Sequence, residues 1–548
     1  MPFKLPLAAF VTVPAACFLY LYDLSAAGML GPDEPRYAAI GREMARSGDW
    51  ITPRLWGQPW FEKPVLLYWM SGCAFRLGFG ADLAPRLPVA LLTLAFLAFY
   101  WWILRREFGL RAASFATAIL ATSAAWLGFG QVGVTDMPLA ATFSAAILLA
   151  LPWVARGDPR YLPAASASLG FAVLAKSLVP LVLAFPLAAW WILRRRKGAS
   201  QSRRPVRWPA VVLPFLAVVL PWHILCYLRN GRGFLETLFV QHQFGRFVSG
   251  ALQHVQPWWF YLPVLAGFVV PWTALVPLLF RTAVWRDPRR RLLLVSLLFG
   301  LLFFSAATNK LPGYILPLLP AAAALLGVEL DETGDARWWL AACALLLVAF
   351  PIAAPLIPQA GANGLSRAAL PQFRATWLLP AFVAALAWFF ERTSHRASAV
   401  FVVALGAACG TVYLKRTAAP ELDRVASARP LWRAIGGRSS EVCVANLKRD
   451  LRYGLNYYSV VPLPECSTDP RPLRIDQVEG RPPELSRGHP HSAGGDPPSV
   501  PRARRPHAQA HAAPLADGRR PAAAADSPAA SVDRRGHYIV LSRFREQS

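Results

Sequence analysis

Charged residues are scarce in this chain of 548 residues: 57 are Lys or Arg and 31 are Asp or Glu, together 16%. Soluble domains carry about a quarter charged residues. Here 55% of the residues are hydrophobic and the mean hydropathy is positive, which excludes an ordinary soluble domain and indicates a membrane protein. The net charge of +26 does not indicate nucleic-acid binding, because the arginines flank apolar runs, as expected beside a membrane.

Apolar runs able to cross a bilayer recur along the first 413 residues. A helix crossing about 30 Å of hydrocarbon needs roughly 17–25 residues, and several runs are near the short limit. We predict thirteen transmembrane helices, so the fold class is a mainly α, polytopic membrane protein with residues 1–413 as its transmembrane domain. The runs lie near residues 5–22, 86–104, 112–128, 137–154, 161–175, 178–193, 209–227, 258–280, 292–305, 313–328, 338–357, 377–390 and 397–413.

Arginine is concentrated in alternate connections between these runs, which predicts the orientation. With a cytoplasmic N-terminus, the arginine-rich connections are all cytoplasmic, and the short connections on the other face carry few cations. Two longer segments, residues 23–85 and 228–257, are then external. The arginine-rich connections lie near residues 105–111, 156–160, 194–207, 281–291 and 392–396.

The first external loop, residues 23–85, has the pattern of ordered structure. Asp33 or Glu34 as N-cap and Gly48 as terminator bracket a helix, and residues 64–79 predict a second interfacial helix. An apolar stripe on the first helix is suited to lie on the membrane surface. The stripe consists of Tyr37, Ile40 and Met44.

After the last apolar run the chain becomes soluble in character. Residues 414–469 predict a small external α/β module with short strands at 441–445 and 457–461. None of the seven cysteines has the spacing of a metal site, and most lie in apolar stretches. Cys443 and Cys466 instead fall in this external module, where a disulfide is chemically permitted; the sequence leaves that pairing open.

The following stretch, residues 470–537, contains no aromatic residue and is dominated by Pro, Ala, Arg, Gly and His. Such a composition cannot bury a core and predicts a disordered tail. Its abrupt onset, ahead of the strand-like residues 538–548, also fits a disturbance of the reading frame. We therefore expect this tail to be dispensable for catalysis.

Polar and charged side chains stand beside the membrane in several connections, all on the external face. Ionisable residues near a span are rare and tend to mark function. Each also has a structural explanation: helix capping by Asp33, a surface ion pair of Glu62 with Lys63, or a satisfied interfacial histidine. Polar residues placed for unrelated structural reasons would occur on both faces of the membrane. The candidates all lie on one face, which favours one functional site. The candidates are Asp33, Glu34, Arg36, Tyr37, Glu62, Lys63, Asp136, Lys176, His242, Lys310 and Tyr314.

Three of these clusters resemble the motifs of a known family. Asp-Glu-Pro-Arg-Tyr at 33–37, Trp-Phe-Glu-Lys-Pro at 60–64 and Lys-Leu-Pro-Gly-Tyr-Ile-Leu-Pro at 310–317 follow the order seen in the aminoarabinose lipid A transferase family. That family belongs to the glycosyltransferase-C superfamily, alongside the protein O-mannosyltransferases. The resemblance covers roughly residues 5–415 in motif order and topology, and residues 470–537 match nothing in the family.

The resemblance implies a glycosyltransferase-C fold in the bacterial inner membrane, with its active site on the periplasmic face. It implies an inverting transfer from an undecaprenyl (polyprenyl) phosphate donor to a periplasmic acceptor, with aminoarabinose or a related sugar going to a lipid A phosphate. Transfer to protein is an alternative, and a lipid-linked sugar transporter is a more distant one. A transporter would show inverted repeats and ionisable groups at the midplane, and the sequence shows neither.

The chemistry of such a transfer suits the candidate side chains. Cations stabilise charge developing on the phosphate leaving group. A carboxylate stabilises the oxocarbenium-like transition state, and a hydroxyl acceptor would need Asp33 as general base. No cofactor is obligatory, although Glu62 with His242 is able to hold a divalent ion. We assign catalysis to Asp33, Asp136 and Glu34, and donor binding to Arg36, Tyr37, Glu62, Lys63, Lys176, Lys310 and Tyr314.

The substitution Asp33→Asn separates catalysis from helix capping, because Asn caps helices about as well as Asp. We expect sugar transfer from polyprenyl phosphate by the purified protein to fall by roughly a hundredfold or more, with the fold retained. Turnover close to that of the parent would reduce Asp33 to a structural residue and move the catalytic assignment to Asp136.

Overall fold

The computed structural model describes residues 7–196, 205–239, 255–478 and 481–487, and helices dominate this part of the chain. The first helices are α1 (Leu7–Leu21), α2 (Asp33–Ser47), α3 (Leu66–Arg76), α4 (Leu87–Phe108), α5 (Leu110–Thr122), α6 (Ala124–Phe129), α7 (Asp136–Arg156) and α8 (Leu162–Lys176). Next come α9 (Val179–Leu183), α10 (Phe185–Arg196), α11 (Trp208–Asn230), α12 (Arg232–Leu235), α13 (Tyr261–Val269), α14 (Thr282–Arg286), α15 (Pro288–Ala306) and α16 (Leu319–Glu332). The last are α17 (Arg337–Leu345), α18 (Ala349–Asn363), α19 (Leu379–Arg392), α20 (Arg396–Thr417), α21 (Ala419–Ala426), α22 (Arg429–Ile435) and α23 (Arg449–Ser459).

The apolar runs predicted to cross the membrane all form helix, but they differ in length. Some runs are shorter or interrupted. The run at 258–280 breaks at Pro271 into α13 and a 3-10 helix, Trp272–Phe280. The break occurs because proline lacks the backbone donor that a helix needs. A polytopic membrane protein is confirmed, whereas the count of thirteen spans is not. In the described ranges, six helical segments are long and apolar enough to span a bilayer: Leu87–Phe108, Asp136–Arg156, Trp208–Asn230, Pro312–Glu332, Arg337–Asn363 and Arg396–Thr417.

Small residues allow the helices of the bundle to approach closely. Gly327 of α16 faces Ala116 of α5, where an added Cβ would lie 2.4 Å from the Ala116 nitrogen. Such close backbone contact is typical of helices that pack within a membrane. The largely buried helix α7 packs against α8, which runs back beside it. The first residue of α7, Asp136, and the last residue of α8, Lys176, therefore meet at the same end of the bundle.

The first external loop contains the two helices that its sequence predicts. Helix α2 ends at Gly48, which adopts φ 72°, a conformation that glycine accepts without strain. At the other end, neither Asp33 nor Glu34 is an N-cap: Pro32 precedes the helix and no side chain caps it. The capping explanation of Asp33 is therefore wrong.

Helices α2 and α3 pack against each other through a small core of their own. The position of Gly41 leaves room for Ser71, whose Oγ would lie 2.1 Å from an added Cβ, and the rings of Tyr37 and Tyr68 lie 5.9 Å apart. The predicted membrane-surface stripe is thus wrong, because this loop encloses its apolar side chains within the protein. The stripe residues Tyr37, Ile40 and Met44 are all buried.

The C-terminal module contains a three-stranded sheet. Two earlier strands, β1 (Arg54–Leu55) and β2 (Gln58–Pro59), form a hairpin in the first external loop. In the module, β3 (Val442–Val444) pairs in parallel with β4 (Leu473–Asp476), which pairs antiparallel with β5 (Glu484–Arg487). Cys443 and Cys466 form a disulfide. The predicted strand at 441–445 is confirmed.

Two expectations about this module are corrected. Residues 457–461 are not a strand, because the chain up to Ser459 belongs to the amphipathic helix α23. Strands β4 and β5 lie inside the range 470–537, for which disorder was predicted, so the module extends to Arg487. Two buried residues, Leu473 and Ile475, pack β4 against the core of the module. The composition averaged over residues 470–537 does not show these two apolar positions, so the strand was missed. Residues 479–480 and 488–548 lie outside the described residues.

The module packs directly onto the first external loop. Arg42 of α2 donates to the Tyr457 carbonyl at 2.7 Å, and the Tyr458 hydroxyl donates to Asp82 at 2.6 Å. Arg429 forms ion pairs with both Asp82 and Asp423. Apart from the Arg429–Asp423 pair, which lies within the module, these contacts join residues that are more than 300 positions apart, so the module and the loop form one external layer.

Truncation separates the folded part of the module from the segment that follows it. We expect a chain ending at Arg487 to melt at the parent's temperature, and a chain ending at Asp469 to melt lower. The shorter chain loses β4, and each buried side chain of the Leu473 and Ile475 type contributes about 2–5 kcal/mol. Thermal unfolding of the detergent-purified proteins measures the difference; equal melting temperatures would show that the sheet does not stabilise the protein.

Candidate active site

Arg36 is the centre of a polar cluster at the start of α2. Its Nη1 donates to Glu62 Oε2 at 3.0 Å, its Nη2 donates to Asp33 Oδ1, and its Nε donates to the Pro32 carbonyl at 2.9 Å. The Arg36 side chain is 6% exposed, whereas that of Asp33 is 46% exposed. Arg36 thus connects one buried carboxylate with one that is open to a ligand.

Burial and neighbouring charges act on the ionisation of this cluster. Burial disfavours the charge on Arg36, but Glu62 and Asp33 outweigh it and raise the pKa of the guanidinium. Burial also raises the pKa of the Tyr37 phenol, and the charges of Asp33 and Glu62 add to the rise. Arg36 is therefore a permanent cation, and Tyr37 remains protonated and able to donate a hydrogen bond.

Aromatic rings enclose the guanidinium of Arg36. Its central carbon lies 5.1 Å from the ring centre of Tyr453, 5.8 Å from that of Trp60 and 5.9 Å from that of Tyr37. Rings at these distances attract a cation through their π-electrons. Tyr453 belongs to α23, so the C-terminal module contributes one wall of the cluster.

Glu62 lies between two cations. Its Oε2 accepts from Arg36 and its Oε1 accepts from Lys63 Nζ at 3.3 Å. The side chains of Glu62 and Lys63 are 4% and 12% exposed, so this is a buried network and not the surface ion pair that was one explanation of the motif. Removing one charge from such a network leaves the others uncompensated.

Asp136 and Lys176 form a second cluster where α7 begins and α8 ends. Lys176 Nζ donates to Asp136 Oδ1 at 2.7 Å, and the Tyr314 ring centre lies 4.8 Å from the ammonium nitrogen. Gly313 leaves room for this ion pair, because an added Cβ would lie 2.8 Å from Asp136 Oδ1 and would displace the carboxylate. Asp33 is also near enough to act electrostatically on Lys176, so the Arg36 cluster and the Asp136–Lys176 cluster lie close together.

Glu34 joins the two clusters through the backbone. Its carboxylate accepts from both Nε and Nη2 of Arg86 at 2.7 Å, from the Gly133 nitrogen at 2.9 Å and from the Leu30 nitrogen at 3.0 Å. Gly133 lies three residues before Asp136 in the chain. With its oxygens buried and hydrogen-bonded, Glu34 is suited to positioning, in place of the catalytic role predicted for it.

Lys310 is held by backbone carbonyls. Its Nζ donates to the Ala307 carbonyl at 2.5 Å and to the Gln256 carbonyl at 3.0 Å. Ala307 follows the last residue of α15, where a cation is favoured by the helix dipole and by orphan carbonyls. An ammonium group has three donors, and the described residues accept two of them.

The predicted metal pair is only partly within the described residues. Glu62 is described, whereas His242 lies outside the described residues. Among the residues that the structure describes, no group of three or more His, Cys, Asp or Glu side chains is placed to hold a metal ion. Glu62 already accepts from two cations, and a divalent ion at its oxygens would compete with both.

Sequence reasoning missed two residues of the site. Arg86 is the first residue of the apolar run predicted at 86–104, and a charge at the end of a membrane span was a signal of an internal partner. Tyr453 carries no comparable signal, since it reaches Arg36 only because α23 packs against α2.

The comparisons with known proteins agree with this architecture. The profile of the family described as dolichyl-phosphate-mannose-protein mannosyltransferase matches residues 62–224. An undecaprenyl phosphate-alpha-4-amino-4-deoxy-L-arabinose arabinosyl transferase of Pseudomonas fluorescens is 35% identical over 328 residues, which cover 57% of this chain and 54% of the relative. A protein of the same name from Pseudomonas aeruginosa is 34% identical, with coverages of 57% and 58%. The alignment thus spans just over half the length of these relatives.

Solved structures extend the similarity to most of the fold. ArnT from Cupriavidus metallidurans bound to undecaprenyl phosphate matches with a TM-score of 0.67 and 26% identity, over 87% of each chain. The same protein in its apo state matches with a TM-score of 0.67 over 86% of each chain.

This fold, with its ionisable clusters at one end of a helical bundle, defines a multi-pass inner-membrane protein of the glycosyltransferase-C class. The resemblance predicted from the three motifs is confirmed by the relatives and by the structural match. The chain is similar to the aminoarabinose arabinosyl transferases over just over half of their length.

The assignment of Glu34 to positioning predicts a loss of stability. We expect Glu34→Gln to lower the free energy of unfolding by about 3–5 kcal/mol, because Arg86 would keep a buried charge without a counter-charge. Glu43→Gln is the matched control on the same helix, since Glu43 accepts only longer contacts from the Gly57 nitrogen, at 3.2 and 3.4 Å. Thermal unfolding in detergent measures both variants; equal stability would show that the Glu34–Arg86 pair is dispensable.

Proposed function

We propose that this chain is an inverting glycosyltransferase that takes a sugar from a polyprenyl phosphate and transfers it to an acceptor on the periplasmic face. The proposed donor is undecaprenyl phosphate carrying aminoarabinose or a related sugar, and the proposed acceptor is a phosphate of lipid A. The names of the relatives and the undecaprenyl phosphate bound to the structural neighbour support this proposal. The bilayer supplies both lipids, and no nucleic acid takes part.

One observation carries the proposal: a half-exposed carboxylate, Asp33, lies beside two sets of cations. Arg36 contacts Asp33 directly, and Lys176 stands on the neighbouring α8 in an ion pair with Asp136. A departing lipid phosphate needs fixed cations, and a sugar that develops positive charge needs a fixed carboxylate. Both requirements are met at one end of the bundle.

Lys176 is the cation best suited to the leaving phosphate. Its ion pair with Asp136 and the Tyr314 ring hold the ammonium in place before substrate arrives, so little reorganisation is needed during the reaction. Lys63 and Arg36 add positive charge on the side of the first loop, although Glu62 neutralises part of it.

Asp33 has the exposure that a reacting group requires. It is close enough to Arg36 to remain oriented, and nearly half of its side chain is exposed. With a phosphate acceptor, which is already ionised, Asp33 stabilises the oxocarbenium-like sugar and no base is needed. With a hydroxyl acceptor, Asp33 removes the proton.

The remaining predicted residues have supporting roles in this proposal. Tyr37 and Tyr314 offer a hydroxyl or a ring face to the sugar, and Lys310 offers one hydrogen. A divalent ion at Glu62 stays a secondary proposal, and none of the steps above depends on it.

Transfer to a protein hydroxyl is the second candidate function. The match of residues 62–224 to the family described as dolichyl-phosphate-mannose-protein mannosyltransferase favours it. Both candidates share the donor phosphate chemistry and differ in the acceptor.

Deletion of the gene tests the acceptor. We expect lipid A from the deleted strain to lack the mass increment of an aminopentose, and the parental gene to restore it. Lys176→Met should restore less than about one-hundredth of the parental level, because a fixed charge at the leaving group is lost, whereas Lys176→Arg should restore part of it. Mass spectrometry of lipid A, with glycoprotein profiles alongside, measures these outcomes.

Unchanged lipid A together with altered glycoproteins would show that the acceptor is a protein and not lipid A. Full restoration by Lys176→Met would remove Lys176 from the site. Arg374→Gln is the control for an external charge remote from the site in sequence, and it should restore the parental lipid A pattern.

A further inference from the structure

A second basic site lies at the far end of α2, away from Asp33. An open cavity of about 490 Å³ is bounded there by α2, α3 and the segment that follows α3. We call it the arginine pocket. Its basic and aromatic wall consists of Arg42, Arg46, Arg76, Phe75 and Phe79.

The three arginines of this pocket differ from the buried arginines elsewhere in the chain. Arg42 donates to the Tyr457 carbonyl, and Arg76 donates to the Ala45 carbonyl at 3.3 Å. Within the described part of the chain, no carboxylate forms an ion pair with either of them or with Arg46. By contrast, the buried arginines described above, such as Arg36 and Arg86, are each paired with a carboxylate.

The electrostatics of the pocket therefore favour an anion. Burial, together with the like charge of Arg46, lowers the pKa of Arg42, although Tyr457 and Glu43 oppose the fall. The Glu43 carboxylate accepts from the Gly57 nitrogen, and the lining contains no acidic side chain. Guanidinium groups bind phosphate through two parallel hydrogen bonds, and a phosphate here would relieve the mutual repulsion.

The surroundings of the pocket are suited to a lipid. Leu77 is 77% exposed and Phe79 is 38% exposed, and both lie in the short segment that leads from α3 to the membrane helix α4. Exposed apolar side chains beside basic ones, next to a span, are typical of contact with the membrane interface. A free anion would use the arginines but would gain nothing from these apolar groups.

We propose that the arginine pocket binds the phosphate headgroup of an anionic lipid of the external leaflet. Arg46 and Arg76 contact the phosphate, Arg42 lies behind them, and Leu77 and Phe79 contact the acyl region. The pocket is separate from the proposed catalytic centre, since Arg42 lies nine residues beyond Asp33, about 13 Å along the helix. Its binding does not depend on the transfer activity.

Binding of a short-chain fluorescent phosphatidic acid to the full-length protein in detergent tests the proposal. The variant carries Arg46→Gln and Arg76→Gln, and both side chains are exposed. The matched control carries Arg374→Gln and Arg433→Gln, which remove two exposed external charges far from the pocket in sequence. We expect the pocket variant to bind roughly tenfold more weakly than the parent, and the control to bind as the parent does. The difference in lipid affinity between the pocket variant and the control variant measures binding at this pocket and not at any other lipid site.

Competition distinguishes the possible sources of the phosphate. Inorganic phosphate should displace the lipid only at concentrations far above that of unlabelled phosphatidic acid, and phosphatidylcholine should not displace it. Equal displacement by inorganic phosphate and by lipid would overturn the lipid assignment. Equal binding by the pocket variant and the control would overturn the site itself. If the double variant does not fold, Arg46→Gln alone, which breaks no described contact, gives the same comparison.

Discussion

The buried ion pair between Glu34 and Arg86 is the interaction on which the external layer depends. Arg86 uses its donors on the Glu34 carboxylate and on the carbonyls of Leu24, Ala27 and Gly28. Burying two charges has a large desolvation cost, and only complete hydrogen bonding offsets it. Because the partners lie in the chain after α1, in α2 and before α4, satisfying this pair fixes the path of the first loop.

That constraint also explains why neighbouring carboxylates of one motif differ in role. Asp33 and Glu34 are adjacent in sequence, but successive helix positions point about 100° apart, so Glu34 points into the protein while Asp33 remains half-exposed. The Gly133 contact of Glu34 then holds the connection before Asp136. Glu34, which is itself inaccessible to substrate, thereby positions the carboxylate proposed to react, its neighbour on α7 and the Lys176 ammonium.

The C-terminal module takes part in the same arrangement. Tyr453 stacks on Trp56, with ring centres 5.8 Å apart, and covers Arg36, while Arg42 is held against Tyr457. One helix of the module therefore contacts the proposed catalytic cluster at one end of α2 and the arginine pocket at the other. A change in the packing of this helix is expected to affect both sites through side chains that no single motif contains.

The sequence by itself determined the membrane class, the helical character of the apolar runs, the two helices of the first loop and the set of polar residues from which the site is built. These follow from local physics: hydrophobicity decides what enters the bilayer, and glycine at 48 decides where α2 ends. Only the tertiary structure decided which carboxylate is buried, which cation pairs with Asp136, and that Leu473 and Ile475 complete a sheet. Those outcomes depend on contacts between distant segments, such as Arg36 with Tyr453, and neither composition nor periodicity records which distant side chains will meet.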